Sequence, residues 1–89
     1  MSWLLDADVL SQPVKTNGNR AVIAWLEREQ DECYTSTIVI AQIAHWIRTK
    51  EGRARQRLQA WLRQSIEAME GRILSFNIAT AHVWADQKY

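Results

Sequence analysis

Two carboxylates near the start of this 89-residue chain are the residues on which chemistry could be built. Asp6 and Asp8 follow directly on the apolar run Trp3-Leu4-Leu5. An apolar run that ends abruptly in acids reads as a buried strand delivering a carboxylate to the rim of a sheet. In open α/β sheets, ligands bind beyond the carboxyl ends of strands, where the connections diverge to opposite faces. A carboxylate there is a typical first ligand for Mg²⁺ or Mn²⁺, hard cations that prefer oxygen. An Asp after a short apolar run is also an ordinary helix cap or turn former. These residues alone leave both roles open.

Other chemistries find little support. Cys33 is the only cysteine, so no intrachain disulfide forms, and a reducing cytoplasm is the expected setting. Asp31 and Glu32 beside it oppose thiolate formation. His45 and His82 have no Cys, His or Glu companions at zinc spacing. Gly18, Gly52 and Gly71 are scattered and match no phosphate-loop or dinucleotide fingerprint. A net charge of +1 selects no partner by global electrostatics. No run approaches the ~18 apolar residues of a membrane span, and the N-terminus lacks a signal-peptide pattern.

Positioning a carboxylate at a sheet rim requires particular elements, and the chain supplies them in order. The 47% apolar content is that of a globular protein, and the length allows one domain at most. Residues 2–6 read as a strand. Ser11-Gln12-Pro13 and Thr16-Asn17-Gly18-Asn19 are turn chemistry. Val22, Ile23, Trp25 and Leu26 fall at helical spacing after Asn19, a good N-cap. Cys33–Ser36 reads as a second strand. The β-branched run Thr37-Ile38-Val39-Ile40 favours strand by propensity. Ile40, Ile43, Ala44 and Ile47 continue with helical period, so a helix is expected over 37–49, capped by Ser36 or Thr37. Leu58, Trp61, Leu62, Ser65, Ile66 and Met69 mark one face of a further helix between Gly52 and Gly71. Residues 72–76 read as a third strand, and Asn77 caps an expected last helix carrying Ile78, Ala81, Val83, Trp84 and Ala85. Five tryptophans, spread through every segment, are expected to serve the core. The order β-α-α-β-α-α-β-α implies a mainly parallel sheet with right-handed crossovers.

These segments resemble the PIN domain, specifically the VapC-like toxins of bacterial toxin–antitoxin pairs. Leu4-Leu5-Asp6-Ala7-Asp8-Val9-Leu10-Ser11 is similar to the family's first strand, first acid and short helix. Ser36-Thr37-Ile38-Val39-Ile40-Ala41-Gln42-Ile43 is similar to its second motif. Gly71-Arg72-Ile73-Leu74-Ser75-Phe76-Asn77, with Ala81 and Trp84-Ala85, is similar to its third strand and next helix. The likeness runs through the whole chain in order.

The resemblance implies a three-layer α/β fold with a short, mainly parallel sheet of about three strands flanked by helices. It implies an Mg²⁺- or Mn²⁺-dependent endoribonuclease, with Asp6 as the first acid and metal ligand and Asp8 as a further ligand or orienting group. The family's Glu falls on Gln42, whose amide brings no charge. The family's remaining acids lie beyond Tyr89, and Asp86 matches none of them. The expectation is therefore a single truncated PIN-like domain over 1–89, lacking the C-terminal strands, with a degraded acidic site and weak or absent activity. The alternative is a non-catalytic module that binds an antitoxin or itself. The first strand would then lie at a sheet edge, an apolar template for a homo-oligomer. Arg48, Lys50, Arg53, Arg55, Arg57 and Arg63 form a basic stretch. Arg53, Arg55 and Arg57 are its candidate RNA contacts, against the plainer reading of a solvated face.

Overall fold

In a computed structural model describing residues 2–75, three parallel strands form one sheet flanked by helices. Strand β1 (Trp3–Leu4) leads into helix α1 (Ala7–Leu10), a 3-10 turn (Gln12–Val14) and helix α2 (Arg20–Glu29). A second 3-10 turn (Gln30–Glu32) enters strand β2 (Cys33–Ser36). Helices α3 (Thr37–Arg48) and α4 (Gly52–Ala68) follow, then strand β3 (Ile73–Leu74). The sheet order is β1-β2-β3. Trp3 pairs with Cys33 and Leu4 with Tyr34; Thr35 pairs with Ile73 and Ser36 with Leu74. As expected, β1 is an edge among the described strands. The helix expected from Asn77 onward lies outside the described residues.

Local chemistry explains the boundaries. Asn19 Oδ1 accepts hydrogen bonds from the Ala21 and Val22 amides at 2.9 and 3.2 Å, satisfying two of the free donors that open α2. Ser36 Oγ does the same for Val39 at 3.2 Å and opens α3. The β-branched start of α3 stays helical because its apolar stripe is buried: Ile43 is 2% and Ile47 1% exposed. Burial of that face outweighs propensities worth only tenths of a kcal/mol per residue. Gly71, at φ +84°, turns the chain from α4 into β3 through a left-handed conformation that disfavours a side chain. Arg72 fastens that turn. Its Nε donates to the Cys33 carbonyl at 3.0 Å, and its guanidinium donates to Ala68 at the end of α4 at 3.1 Å.

Two apolar clusters hold the fold. Leu5, Cys33 and Met69 form one, with Val9, Trp25, Leu26 and Ile73 packed on it. Ile43, Ile47 and Leu58 form the other, with Val14, Val39, Trp46, Trp61 and Leu62 packed on it. Leu10 of α1 touches both clusters, so this one-turn helix joins the sheet to the α3–α4 pair. The tryptophans are less buried than their expected core duty: Trp25, Trp46 and Trp61 are half-buried and Trp3 is 38% exposed. Large rings span the boundary between a small core and solvent. Trp3 and Trp25 meet edge to face, ring centroids 5.3 Å apart.

Candidate functional site

Parallel pairing brings the carboxyl ends of β1 and β2 to the same rim, and the chain leaves both strands there into helices. Asp6 leaves β1 and Ser36 ends β2. Asp6 is exposed, and its Oδ1 accepts from the Val9 amide at 2.9 Å, capping α1. The rim position and the cap, left open by the sequence, are thus held by one side chain. Helix α1 lies against α3, and a groove of about 260 Å³ runs between them. Ala7, Asp8, Ser11 and Lys15 line one side, and Gln42, Ile43 and Trp46 line the other. Asp8 and Gln42 therefore meet in one groove; Asp6 immediately precedes its wall and does not line it.

Asp8 is occupied by a cation from its own chain, since Lys15 Nζ forms an ion pair with Asp8 Oδ1. The Gln12–Val14 turn swings Lys15 back over α1, and Gln12 itself binds the Asp8 carbonyl and the Asn19 amide. Gly18 permits this close packing, because a Cβ there would run into the Gln12 carbonyl oxygen. Ser11 is 3% exposed and its hydroxyl donates to the Ala7 carbonyl at 2.7 Å.

This donor set fits Mg²⁺ poorly. Such a cation keeps much of its hydration and is recruited by carboxylates. Here one carboxylate caps a helix, the other carries a lysine, and the third position is an uncharged amide. Among the described residues no group of three or more His, Cys, Asp or Glu could hold a metal ion.

The other candidates lie apart. Arg53, Arg55 and Arg57 are exposed on the first turns of α4 and line none of the grooves described here. Steps of two residues turn Arg55 away from the other two. Arg48 and Arg63 instead border a separate groove between α3 and α4, of about 430 Å³, floored by Ile47, Leu62 and Ile66. Cys33 is 3% exposed, and its thiol is pushed up by burial and by Glu29, with Arg72 pulling the other way. It is a core residue rather than a nucleophile. No described helix is long and apolar enough to cross a membrane.

Two groove residues escaped the sequence reading, Lys15 and Trp46. Lys15 gave no signal, since its position depends on the turn between Gln12 and Gly18. Trp46 did give one: it stands four residues after Gln42, hence on the same face of α3.

A parallel sheet flanked by helices, with an acid at the carboxyl rim of its first strand and a second motif at the rim of the next, is the PIN arrangement. Comparison with known proteins agrees. The chain is 33% identical over 85 residues to Toxin FitB of Neisseria gonorrhoeae, covering 92% of this chain and 61% of that protein. It is 30% identical over 86 residues to the VapC ribonuclease Y4jK of Sinorhizobium fredii, covering 93% of this chain and 61% of that one. Its fold matches FitAcB from Neisseria gonorrhoeae with a TM-score of 0.80 at 30% identity, over 94% of this chain and 63% of that chain. It matches FitAB bound to an IR36 DNA fragment with a TM-score of 0.77 at 31% identity, over 93% and 60%. No protein-family model matches the chain. By sequence and by fold the chain is similar to the VapC-like PIN toxins. It spans about three fifths of the length of the curated relatives it matches.

Proposed function

We propose that this chain is a relative of the VapC-type endoribonuclease toxins, at most weakly active in hydrolysis as its acidic site stands, and that its 89 residues form one PIN-like unit. The observation that carries this reading is the junction of α1 and α3. There Asp8 and Gln42 share a groove whose first wall opens on Asp6, at the carboxyl rim of a parallel sheet. The family implies a divalent metal, Mg²⁺ or Mn²⁺, and RNA as substrate. Because the acids at this rim are Asp6, which caps a helix, and Asp8, which carries Lys15, hydrolysis of a phosphodiester has little support here beyond Asp6. Incubating the purified chain with RNA and Mg²⁺, beside an Asp6→Asn control, tests the reading. Slow cleavage that the control lacks supports it; equal cleavage by both proteins refutes it.

A second reading, a non-catalytic binding module, is favoured by the Lys15–Asp8 pair, which neutralises the groove without any added cation. The partner would be an antitoxin or a second copy. Relatives of this fold occur in FitAB and FitAcB assemblies. Strand β1 has no paired strand on its free side among the described residues, and it carries the exposed Trp3. Such an edge accepts a strand from another chain. A pull-down with the small protein encoded beside this gene tests this reading. Retention on the immobilised chain supports it, and failure to bind, with RNA cleavage intact, refutes it. A cytoplasmic setting belongs to the same proposal.

A further inference from the structure

We infer that the α1–α3 groove is a subsite for one unpaired RNA base, with Trp46 as the residue that stacks on it. The inference rests on the ribonuclease-lineage reading for the class of ligand, but it needs neither a metal nor hydrolysis.

Trp46 has the placement that stacking requires. Trp46 packs on the buried cluster of Ile43, Ile47 and Leu58. It also lines the groove beside Gln42, Asp8 and Lys15. The Lys50 ammonium sits over the ring, 5.2 Å from its centroid. At that face the ring meets a charged side chain, which a ligand can exchange for its own groups. A nucleotide supplies both things such a pair can exchange for. Its phosphate takes the Lys50 ammonium, and its base takes the face that Lys50 leaves. Aromatic rings bind successive bases of single strands in this way with little sequence preference.

The rest of the groove agrees in charge and in hydrogen-bonding capacity. Lys15 cancels the Asp8 charge, so a polyanion meets no net repulsion at the wall. The Gln42 amide offers a donor and an acceptor together, the pair that reads a base edge. Double-stranded RNA keeps its bases stacked inside the helix, and its deep, narrow major groove excludes side chains. The ligand class is therefore a single strand.

The test is fluorescence anisotropy of a labelled single-stranded RNA decamer in EDTA, with the duplex of the same sequence as comparison. Trp46→Leu keeps apolar volume against the core and removes the ring face; Trp46→Phe keeps a ring. The expected result is that Trp46→Leu binds the single strand about tenfold more weakly. Trp46→Phe stays within about threefold of wild type, and both melt as cooperatively as wild type. Equal binding by wild type and Trp46→Leu overturns the inference, as does preference for the duplex or no binding by wild type. Cleavage in Mg²⁺ is read separately on the same proteins. Cleavage with binding unchanged in Trp46→Leu leaves the lineage reading standing and removes the stacking role. A Trp46-dependent binding with no cleavage does the reverse for catalysis.

Discussion

Removing the Asp6 carboxylate removes both a helix cap and a negative charge at the sheet rim, and two substitutions separate these effects. Asp6→Ala loses the bond to the Val9 amide and is expected to cost about 1 kcal/mol in urea denaturation. Asp6→Asn keeps an accepting oxygen and a residue type equally favoured at this position, so its stability stays within a few tenths of a kcal/mol of wild type, roughly. A rim acid used only as a cap would show no other difference between the two variants. Cys33 gives the pH dependence. Burial holds its thiol above the ordinary thiol range, so the folded state retains the proton longer than the unfolded chain does. Stability from this residue is whole below the unfolded thiol's pKa. It is lost as pH rises from there through the folded pKa. Denaturation midpoints measured from neutral to alkaline pH are expected to fall, and to fall less in Cys33→Ala, whose neutral-pH stability is lower from the cavity it leaves.

At the scale of elements, α3 carries most of the argument, since it supplies one wall of the groove and the centre of the second core cluster. Ile47→Ala removes a side chain 1% exposed and is expected to cost about 2–5 kcal/mol. Thr35 is the contrary case. It is 1% exposed on the central strand, and its Oγ1 has no hydrogen-bond partner. Thr35→Val exchanges an unsatisfied hydroxyl for a methyl of the same shape, so thermal melting is expected to show an unchanged or raised midpoint. The helices and strands were largely legible from caps and periodicity. Asn19 and Ser36 marked two helix starts, and the 3.6-residue stripe of Ile43 and Ile47 overrode a β-branched run. Strand β2 spans the four residues its sequence marks, whereas β1 and β3 pair over two residues each, with single backbone bonds from Leu5 to Tyr34 and from Thr35 to Arg72 at their ends. The rim acid was legible, and its partner was not. The Lys15–Asp8 ion pair depends on a turn closed by Gly18, and no local pattern announces a contact set by loop geometry.

At the scale of the whole molecule, the edge position of β1 among the described strands is what the proposed association rests on. The strand bears Trp3, held edge to face against Trp25 and still 38% exposed. If copies associate through this edge, the molar mass by light scattering during size exclusion exceeds that of one 10.4 kDa chain. Trp3→Lys then returns it to the monomer, because a charge on an edge strand opposes strand addition. A monomeric wild type at high concentration contradicts self-association and leaves an antitoxin as the partner for that edge.

The central claim is that a VapC-like PIN framework here carries a thinned acidic site centred on Asp6, with an amide at Gln42 where the family's resemblance puts a glutamate. The most direct measurement is the rate of RNA cleavage in Mg²⁺ and in Mn²⁺ by wild type, Asp6→Asn and Gln42→Glu at matched folded concentrations. The account predicts a rate close to background for wild type, none for Asp6→Asn, and a clear gain for Gln42→Glu, whose added carboxylate favours a hard cation. Brisk cleavage that survives Asp6→Asn and ignores Gln42→Glu would contradict it.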